Sequence, residues 1–584
     1  MKRLLLWLFV LLIGCEEQTK DQEQNFVTPF ETSKGNETAT YPEAISFYKE
    51  LARDYPEINI QTIGATDSGN PLHVVTFNTE ADFNFQKIAE TKTIILINNG
   101  IHPGESDGID ASMLLFRDLA QEVLDSPENV VVVTIPIYNV GGALNRGAKT
   151  RANQNGPVSY GFRGNARNYD LNRDFIKCDT ENTRTFARIY QLIQPDFLVD
   201  CHVSNGADYQ YTISHLLTQH NKLGGEPGVF IEQKIIPDLE RLMEDSGWPV
   251  TPFVNIYNKP PDEGFSQFMD HPRYSTGYAA LWNTFGLMIE THMLKPYHER
   301  VTATYELLRN TIKFCESEHD QIKSIRESAR SRHLRWTYYP LNWQLDSTKT
   351  RQLQFKGYQA DTLISEVTGF DRLKYNKGIP YTKEIPYFNE YKAVDSVRIP
   401  QAYIIGKEWS NVAELLDIND ISYTLLDKDT VIRVESYRIE DYQTLNYPYE
   451  GHYPHYNTKV SGRMIEGGFS EGDYFIPTRQ AGIRYLLETL EPEAVDSFFN
   501  WNFFDSVLQQ KEGFSPYVFE ELALEILRSN WAIKDSFELK KSNDPEFERN
   551  RFAQLQWIYE RSEYYEASHM QYPVYRVLES VEVE

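Results

Sequence analysis

The chain has 584 residues, which at roughly 150 residues per domain is about four domain-equivalents, or fewer if one unit is a large α/β domain. Hydrophobic residues make up 41% and charged residues 24%, so neither wholesale disorder nor a collagen-like repeat fits. Lys and Arg number 58 against 84 Asp and Glu, and the resulting net charge of −26 repels phosphate backbones, which excludes nucleic acid as a general partner.

At the amino terminus, Lys2 and Arg3 precede an unbroken apolar run from Leu4 to Ile13. A run of this length is too short to cross a bilayer as a helix, and it suits the apolar core of a secretory signal. It ends in Leu12-Ile13-Gly14-Cys15, which resembles a bacterial lipobox. The resemblance implies that residues 1–15 are a lipoprotein signal peptide and that Cys15 is the lipidated residue. It also implies a protein held by its lipid to the membrane of a bacterial cell envelope. An ordinary secretory signal cut elsewhere is the alternative. Residues 16–38 are polar and nearly free of periodicity, which predicts a flexible tether. Cys178, Cys201 and Cys315 form at most one disulfide and no CxxC pair, so neither a disulfide scaffold nor a thiolate zinc knuckle is expected.

Apolar spacing predicts a helix over 42–54, and the continuous apolar run at 93–97 predicts a strand buried on both faces. Ser106 or Asp107 is placed to cap a following helix whose Ile109, Met113, Phe116 and Ala120 share one side. A second buried strand is expected over 130–137, a helix over 180–193, and further strands over 197–199 and 286–289. This alternation predicts an α/β unit, with a mixed, largely parallel sheet flanked by helices, over 39–320. Short β-type runs at 402–405, 421–425 and 430–434 predict a β-rich accessory region over 330–480. Residues 481–584 read as mainly helical, with Ile483, Leu486, Leu487 and Leu490 in step.

Three of the buried strands lead into chemistry-bearing residues. The first runs through Asn98-Asn99-Gly100 into Ile101-His102-Pro103-Gly104-Glu105, the second into Asp200-Cys201-His202, and the third into Glu290. In open α/β sheets, ligands bind at the carboxyl ends of the strands. Two His and two Glu gathered there are the ligand types that zinc prefers in hydrolytic sites. A catalytic zinc takes three protein ligands and leaves a position for water, for which a nearby carboxylate serves as general base. His102, Glu105 and His202 suit the first role and Glu290 the second. A lone HxxE is a weak signal, but three such termini in one sheet are not.

With those residues in view, the segment of about 40–320 resembles the zinc carboxypeptidase family (carboxypeptidase A-like metallopeptidases). The family's markers appear in order: Thr62-Ile63-Gly64 through Gly69 to Leu72, the His102–Glu105 pair, Pro136-Ile137-Tyr138-Asn139 with Gly142, and Arg163-Gly164-Asn165-Ala166 through Asp170-Leu171-Asn172-Arg173-Asp174-Phe175. The resemblance implies one Zn2+ per chain on His102, Glu105 and His202, with Asp170 orienting His102. It implies that Asn172 and Arg173 grip a terminal carboxylate and that Arg163 stabilises the oxyanion. Glu290 becomes general base and acid, and the substrates become peptides with a free C-terminal carboxylate. Asn168 and Asp174 depart from the usual Gly and Asn. Residues 152–162 look inserted, which leaves Arg151 as a competing oxyanion residue. The substrate-capping tyrosine is Tyr274 or Tyr278, with Tyr274 favoured. No acid lies between Pro272 and Glu290, which disfavours a basic-residue specificity.

Other residues have plainer readings. His292 shares a strand face with Glu290 but suits a structural hydrogen bond, and His73 reads as a buried strand histidine. Glu450, His452 and His455 have a spacing that a second metal site would use, although loop histidines are more often incidental. Strand alternation turns Cys201 away from Asp200 and His202. The run around 490–504 resembles a C-terminal extension of longer bacterial family members and carries no evident chemistry. Two further functions stay open: a zinc amidohydrolase acting on cell-wall peptides, and a non-catalytic surface protein that binds peptides.

Overall fold

The computed structural model describes residues 26–579; the signal segment, Cys15 and residues 16–25 lie outside the described residues. A seven-stranded mixed sheet organises the first half of the chain. Its strands are β1 (Ile58–Ala65), β2 (Pro71–Phe77), β3 (Thr93–Asn98), β4 (Val130–Ile135), β5 (Phe197–Ser204), β6 (Ile213–Leu217) and β7 (Phe285–His292). The spatial order is β1-β2-β4-β3-β5-β7-β6. Strands β4, β3, β5 and β7 run parallel, while β2 against β4 and β6 against β7 are antiparallel. Every residue of β3, β4, β5 and β7 is buried, as continuous apolar runs covered on both faces require.

Local signals start the helices where the spacing places them. Thr40 and Glu43 form a capping box ahead of Tyr41–Asp54, and Thr180 caps Glu181–Ile193. Ser106 occupies the cap position of Asp107–Ala120 without a side-chain cap bond; its hydroxyl instead meets Tyr297 Oη at 3.1 Å. Strands β5 and β7 both run past the expected ends, so Asp200, His202 and Glu290 lie within the ladder.

Three expectations of organisation change. The tether expected over 16–38 does not hold from residue 26 onward: Phe26 is buried, Thr28 and Glu31 form a capping box on Pro29–Thr32, and Glu31 pairs with Arg117 at 2.7 Å. The first unit continues past 320 through the helices Tyr297–Ser317 and His319–His333. The regions expected to be β-rich and helical share one six-stranded sheet, because Val574–Val577 inserts between Ala402–Ile405 and Thr430–Thr444. Helices such as Pro516–Ser529 and Trp531–Asn543 precede that last strand.

The second half of the chain packs directly on the first. One hydrophobic core contains β3 to β5 together with Tyr485, Phe498, Phe499 and Trp501. Tyr278 Oη donates to Asn419 Oδ1 at 2.7 Å, and Trp282 stacks on Tyr485.

Candidate active site

His102 and Glu105 lie on the turn after β3, His202 on β5 and Glu290 on β7. One nitrogen of each imidazole is held by a carboxylate: His102 Nε2 lies 2.9 Å from Asp170 Oδ1, and His202 Nε2 lies 2.8 Å from Asp200 Oδ2. A neutral imidazole carries its proton toward such an acceptor, which leaves the Nδ1 lone pair free. Both Nδ1 atoms face the same carboxylate, at 3.2 Å from Glu105 Oε1 and 3.0 Å from Glu105 Oε2. Ligand atoms of His102, Glu105 and His202 all lie within 4.8 Å of one another. With both rings neutral, acceptors face acceptors at this range and a cation between them satisfies all three; two imidazoles with one carboxylate suit Zn2+.

Without a bound metal, the neighbouring charges set the protonation of these groups. Burial raises the Glu105 carboxyl, but Arg151, His102 and His202 outweigh burial and hold it well below the usual range. Burial lowers His202, yet Asp200 and Glu105 keep its pKa well above that of a free imidazole. Glu290 goes the other way: burial, with Glu105 and Asp200 adding to it, pushes its carboxyl up to about 8 against His202 and Arg163. Its Oε2 is buried without a hydrogen-bond partner, an orphaned polar atom aimed at chemistry rather than structure.

Three arginines surround the centre in different states. Arg151 Nη2 donates to Glu105 Oε1 at 2.5 Å. Arg163 donates twice to Asp170 Oδ2, at 3.0 and 2.8 Å, with Nη1 turned toward His102. Arg173 has no carboxylate within ion-pair distance among the described residues; one N–H goes to the Asn172 carbonyl at 2.7 Å, and the guanidinium sits 4.6 Å from the Tyr274 ring centre. Asn172 Oδ1 accepts from the Ser275 N–H at 3.2 Å, which ties the 170–173 turn to the start of the helix that Tyr274 precedes.

Arg163, Arg173, Tyr274 and Glu290 line one cleft of about 290 Å³ with the three ligand-type residues. Its remaining wall includes Leu216, Phe253, Phe268 and Met288. A larger cavity of about 900 Å³ lies in the accessory region and holds none of these donors. Tyr278 is fully buried between Phe175 and Tyr190 and does not reach the cleft.

The other singled-out residues lie elsewhere. His292 pairs with Asp208 at 3.2 Å, and His73 lies against Tyr41. His452 pairs with Asp179 at 2.7 Å and His455 with Asp505 at 3.0 Å, so the two rings serve separate partners. Cys201 packs against Gly108, where an added Cβ would come within 2.7 Å of its sulfur. Sequence reasoning passed over Asp200, although two-residue alternation puts it on the same face as His202. The wall residues carry no local signal, and Glu450, grouped by its spacing with His452 and His455, is brought here by tertiary packing alone.

Comparison with known proteins follows the same outline. Residues 44–192 match the family model described as zinc carboxypeptidase. A carboxypeptidase 2 of Trichophyton rubrum is 19% identical over 476 residues, covering 77% of this chain and 81% of the relative. The corresponding protein of Trichophyton equinum is 20% identical, covering 71% and 74%. A metallo-carboxypeptidase structure from Burkholderia cenocepacia covers 48% of this chain and 70% of its own at 15% identity, with a TM-score of 0.35. One from Pseudomonas aeruginosa, in complex with (2-guanidinoethylmercapto)succinic acid, covers 48% and 68% at 11% identity, also with a TM-score of 0.35. The family match takes in His102, Glu105 and the whole run from Arg163 to Phe175, and over residues 44–192 the chain is similar to the zinc carboxypeptidases.

Proposed function

We propose that the protein is a metallocarboxypeptidase that removes the last residue of peptides ending in a free carboxylate. The observation that carries this reading is Arg173. Its guanidinium stands in the same cleft as Glu290 with no carboxylate partner among the described residues, whereas Arg151 and Arg163 are already paired. An unpaired planar cation beside the Asn172 turn suits a bidentate carboxylate.

His102, Glu105 and His202 would hold the zinc, which when bound would supply a Lewis acid able to polarise a carbonyl and acidify water. Glu290 accepts the proton of the attacking water at its free Oε2 and returns it to the departing amine. Arg163 meets the negative charge that develops on the scissile carbonyl oxygen; its two bonds to Asp170 fix its direction in advance. Asp170 and Asp200 hold the two imidazoles in the orientation that binding needs. Tyr274 presents its ring beside Arg173, where it closes over the bound chain end. Leu216, Phe253, Phe268 and Met288 favour an apolar C-terminal side chain.

The test is hydrolysis of N-blocked dipeptides with apolar, acidic and basic C-terminal residues, run beside C-terminal amides and cell-wall peptides. Cleavage of the apolar free acids but not of their amides is expected. Equal cleavage of the amides would remove the carboxylate reading. The lipobox-like segment supports attachment through Cys15 to a cell-envelope membrane, and retention of a Cys15→Ser variant in the membrane fraction would refute that.

A further inference from the structure

The loop joining Thr430–Thr444 to His455–Phe469 reaches the catalytic centre. Within it, Tyr449 and His452 exchange both backbone hydrogen bonds, at 2.8 and 3.1 Å, around Glu450 and Gly451. Glu450 has φ +49° and Gly451 φ +81°, the left-handed pair that a tight two-residue turn demands. The turn seats on the 169–179 segment at three points. Glu450 Oε2 accepts from the Asp170 backbone N–H at 2.8 Å. Gly451 approaches Tyr169 so closely that a Cβ there would lie 2.6 Å from the phenol oxygen. His452 Nε2 reaches Asp179 Oδ2 at 2.7 Å.

We propose that this turn is a positioning element of the active site, with Glu450 fixing Asp170 and, through it, His102 and Arg163. Asp170 is the node of the centre: Oδ1 holds His102 Nε2 at 2.9 Å, and Oδ2 takes both bonds from Arg163. Both contacts are aimed by the Asp170 main chain, and Glu450 anchors its N–H. Without that acceptor the N–H loses its partner, and of the backbone contacts only the Asn172 N–H, at 2.9 Å from Oδ1, is left to direct the carboxylate. The opposite rim is held from the same region, because Asp496 accepts from the backbone N–H of Arg273, the residue before Tyr274. The catalytic centre is therefore completed by residues well outside the segment that carries its ligands.

This inference rests on the zinc reading above, so its test needs a readout that does not depend on substrate. Zinc affinity of the full chain is measured by competition with a chromophoric chelator for wild type, Glu450→Ala and Glu450→Gln. Turnover of a blocked dipeptide and melting temperature are measured in parallel. Glu450→Ala is expected to weaken zinc binding about 10-fold, in the range seen when partners of metal ligands are lost, with kcat falling more than KM rises. The amide oxygen of Glu450→Gln still accepts from the Asp170 N–H and is expected to restore most of both. Gly451→Ala, which pushes the turn off Tyr169, is expected to reproduce the alanine signature. Wild-type zinc affinity and kcat in Glu450→Ala would overturn the proposal. So would equal impairment of Ala and Gln variants that tracks only a fall in melting temperature. A wild type that binds zinc but releases no C-terminal residue defeats the proposed function, while the zinc affinities still judge Glu450.

Discussion

His202 and Glu290 stand opposite one another as register partners on the adjacent parallel strands β5 and β7. The ladder thus sets a candidate ligand imidazole and a buried carboxyl side by side without help from any loop. Glu290→Gln keeps the volume of the side chain and removes its basicity. Zinc content is expected to stay at the wild-type level, while kcat falls by about 10²–10⁴. Because burial holds the carboxyl up toward 8 and a bound cation draws it back down, the acid limb of kcat/KM is expected above the ordinary glutamate value of about 4.3. Activity rises with pH through that limb as Glu290 loses its proton. A pH profile whose acid limb persists unchanged in the residual activity of the Gln variant would assign the limb to another group.

Arg173 is expected to act on binding more than on chemistry. A charge-assisted hydrogen bond contributes about 1.5–3 kcal/mol, so Arg173→Ala is expected to raise KM for free-acid substrates by roughly 10- to 150-fold. Arg173→Lys keeps the charge but loses the planar fork and is expected to recover only part of this. Steady-state kinetics on a free acid and its amide provide the check. A variant that loses both equally would place Arg173 outside carboxylate recognition.

Much of this centre is legible in the chain itself. His102, Glu105, His202 and Glu290 follow continuous apolar runs, and those runs mark buried strands with their ends at a common edge. The expected strand at 197–199 is too short because polar Asp200 and His202 end the apolar run that marks it, whereas both are ladder residues. Leu216 and Phe253 come from an edge strand and a loop, and no local pattern ties either to Met288. Glu450 and Asp170 are 280 positions apart, beyond any local signal. The spacing of Glu450, His452 and His455 matches a metal site only on paper, since spacing says nothing about which way loop rings point.

Asp496 is fully buried and pairs with the half-buried Arg273, accepting from both its guanidinium and its backbone N–H. Removing one partner strands the other, so Asp496→Ala is expected to lower unfolding free energy by about 3–5 kcal/mol. Replacing both together, as Arg273→Met with Asp496→Leu, is expected to cost less than the single change. Denaturant unfolding of the three proteins tests this, and a double variant worse than the single would contradict it. Because Tyr274 follows Arg273, KM is expected to rise in both variants, even where stability is regained.

Zinc removal ties stability to the same residues. A ligand at 100 times its dissociation constant stabilises the folded state by about 2.7 kcal/mol, so chelation is expected to lower the melting temperature as well as abolish activity. The size of that shift is expected to depend on pH, and its sign follows from His202. In the metal-free protein, Asp200 and Glu105 overcome burial and hold its folded pKa well above the unfolded value. The stability gained by protonating it is fully present below the unfolded pKa of about 6.5 and is lost as pH rises through the folded value. Zinc needs the unprotonated ring, so at pH 6 it competes with a proton that already stabilises the fold, and at pH 8 it competes less. Thermal melts with and without stoichiometric zinc are therefore expected to differ more at pH 8 than at pH 6. An equal or reversed difference would show that His202 is not the group that zinc displaces a proton from.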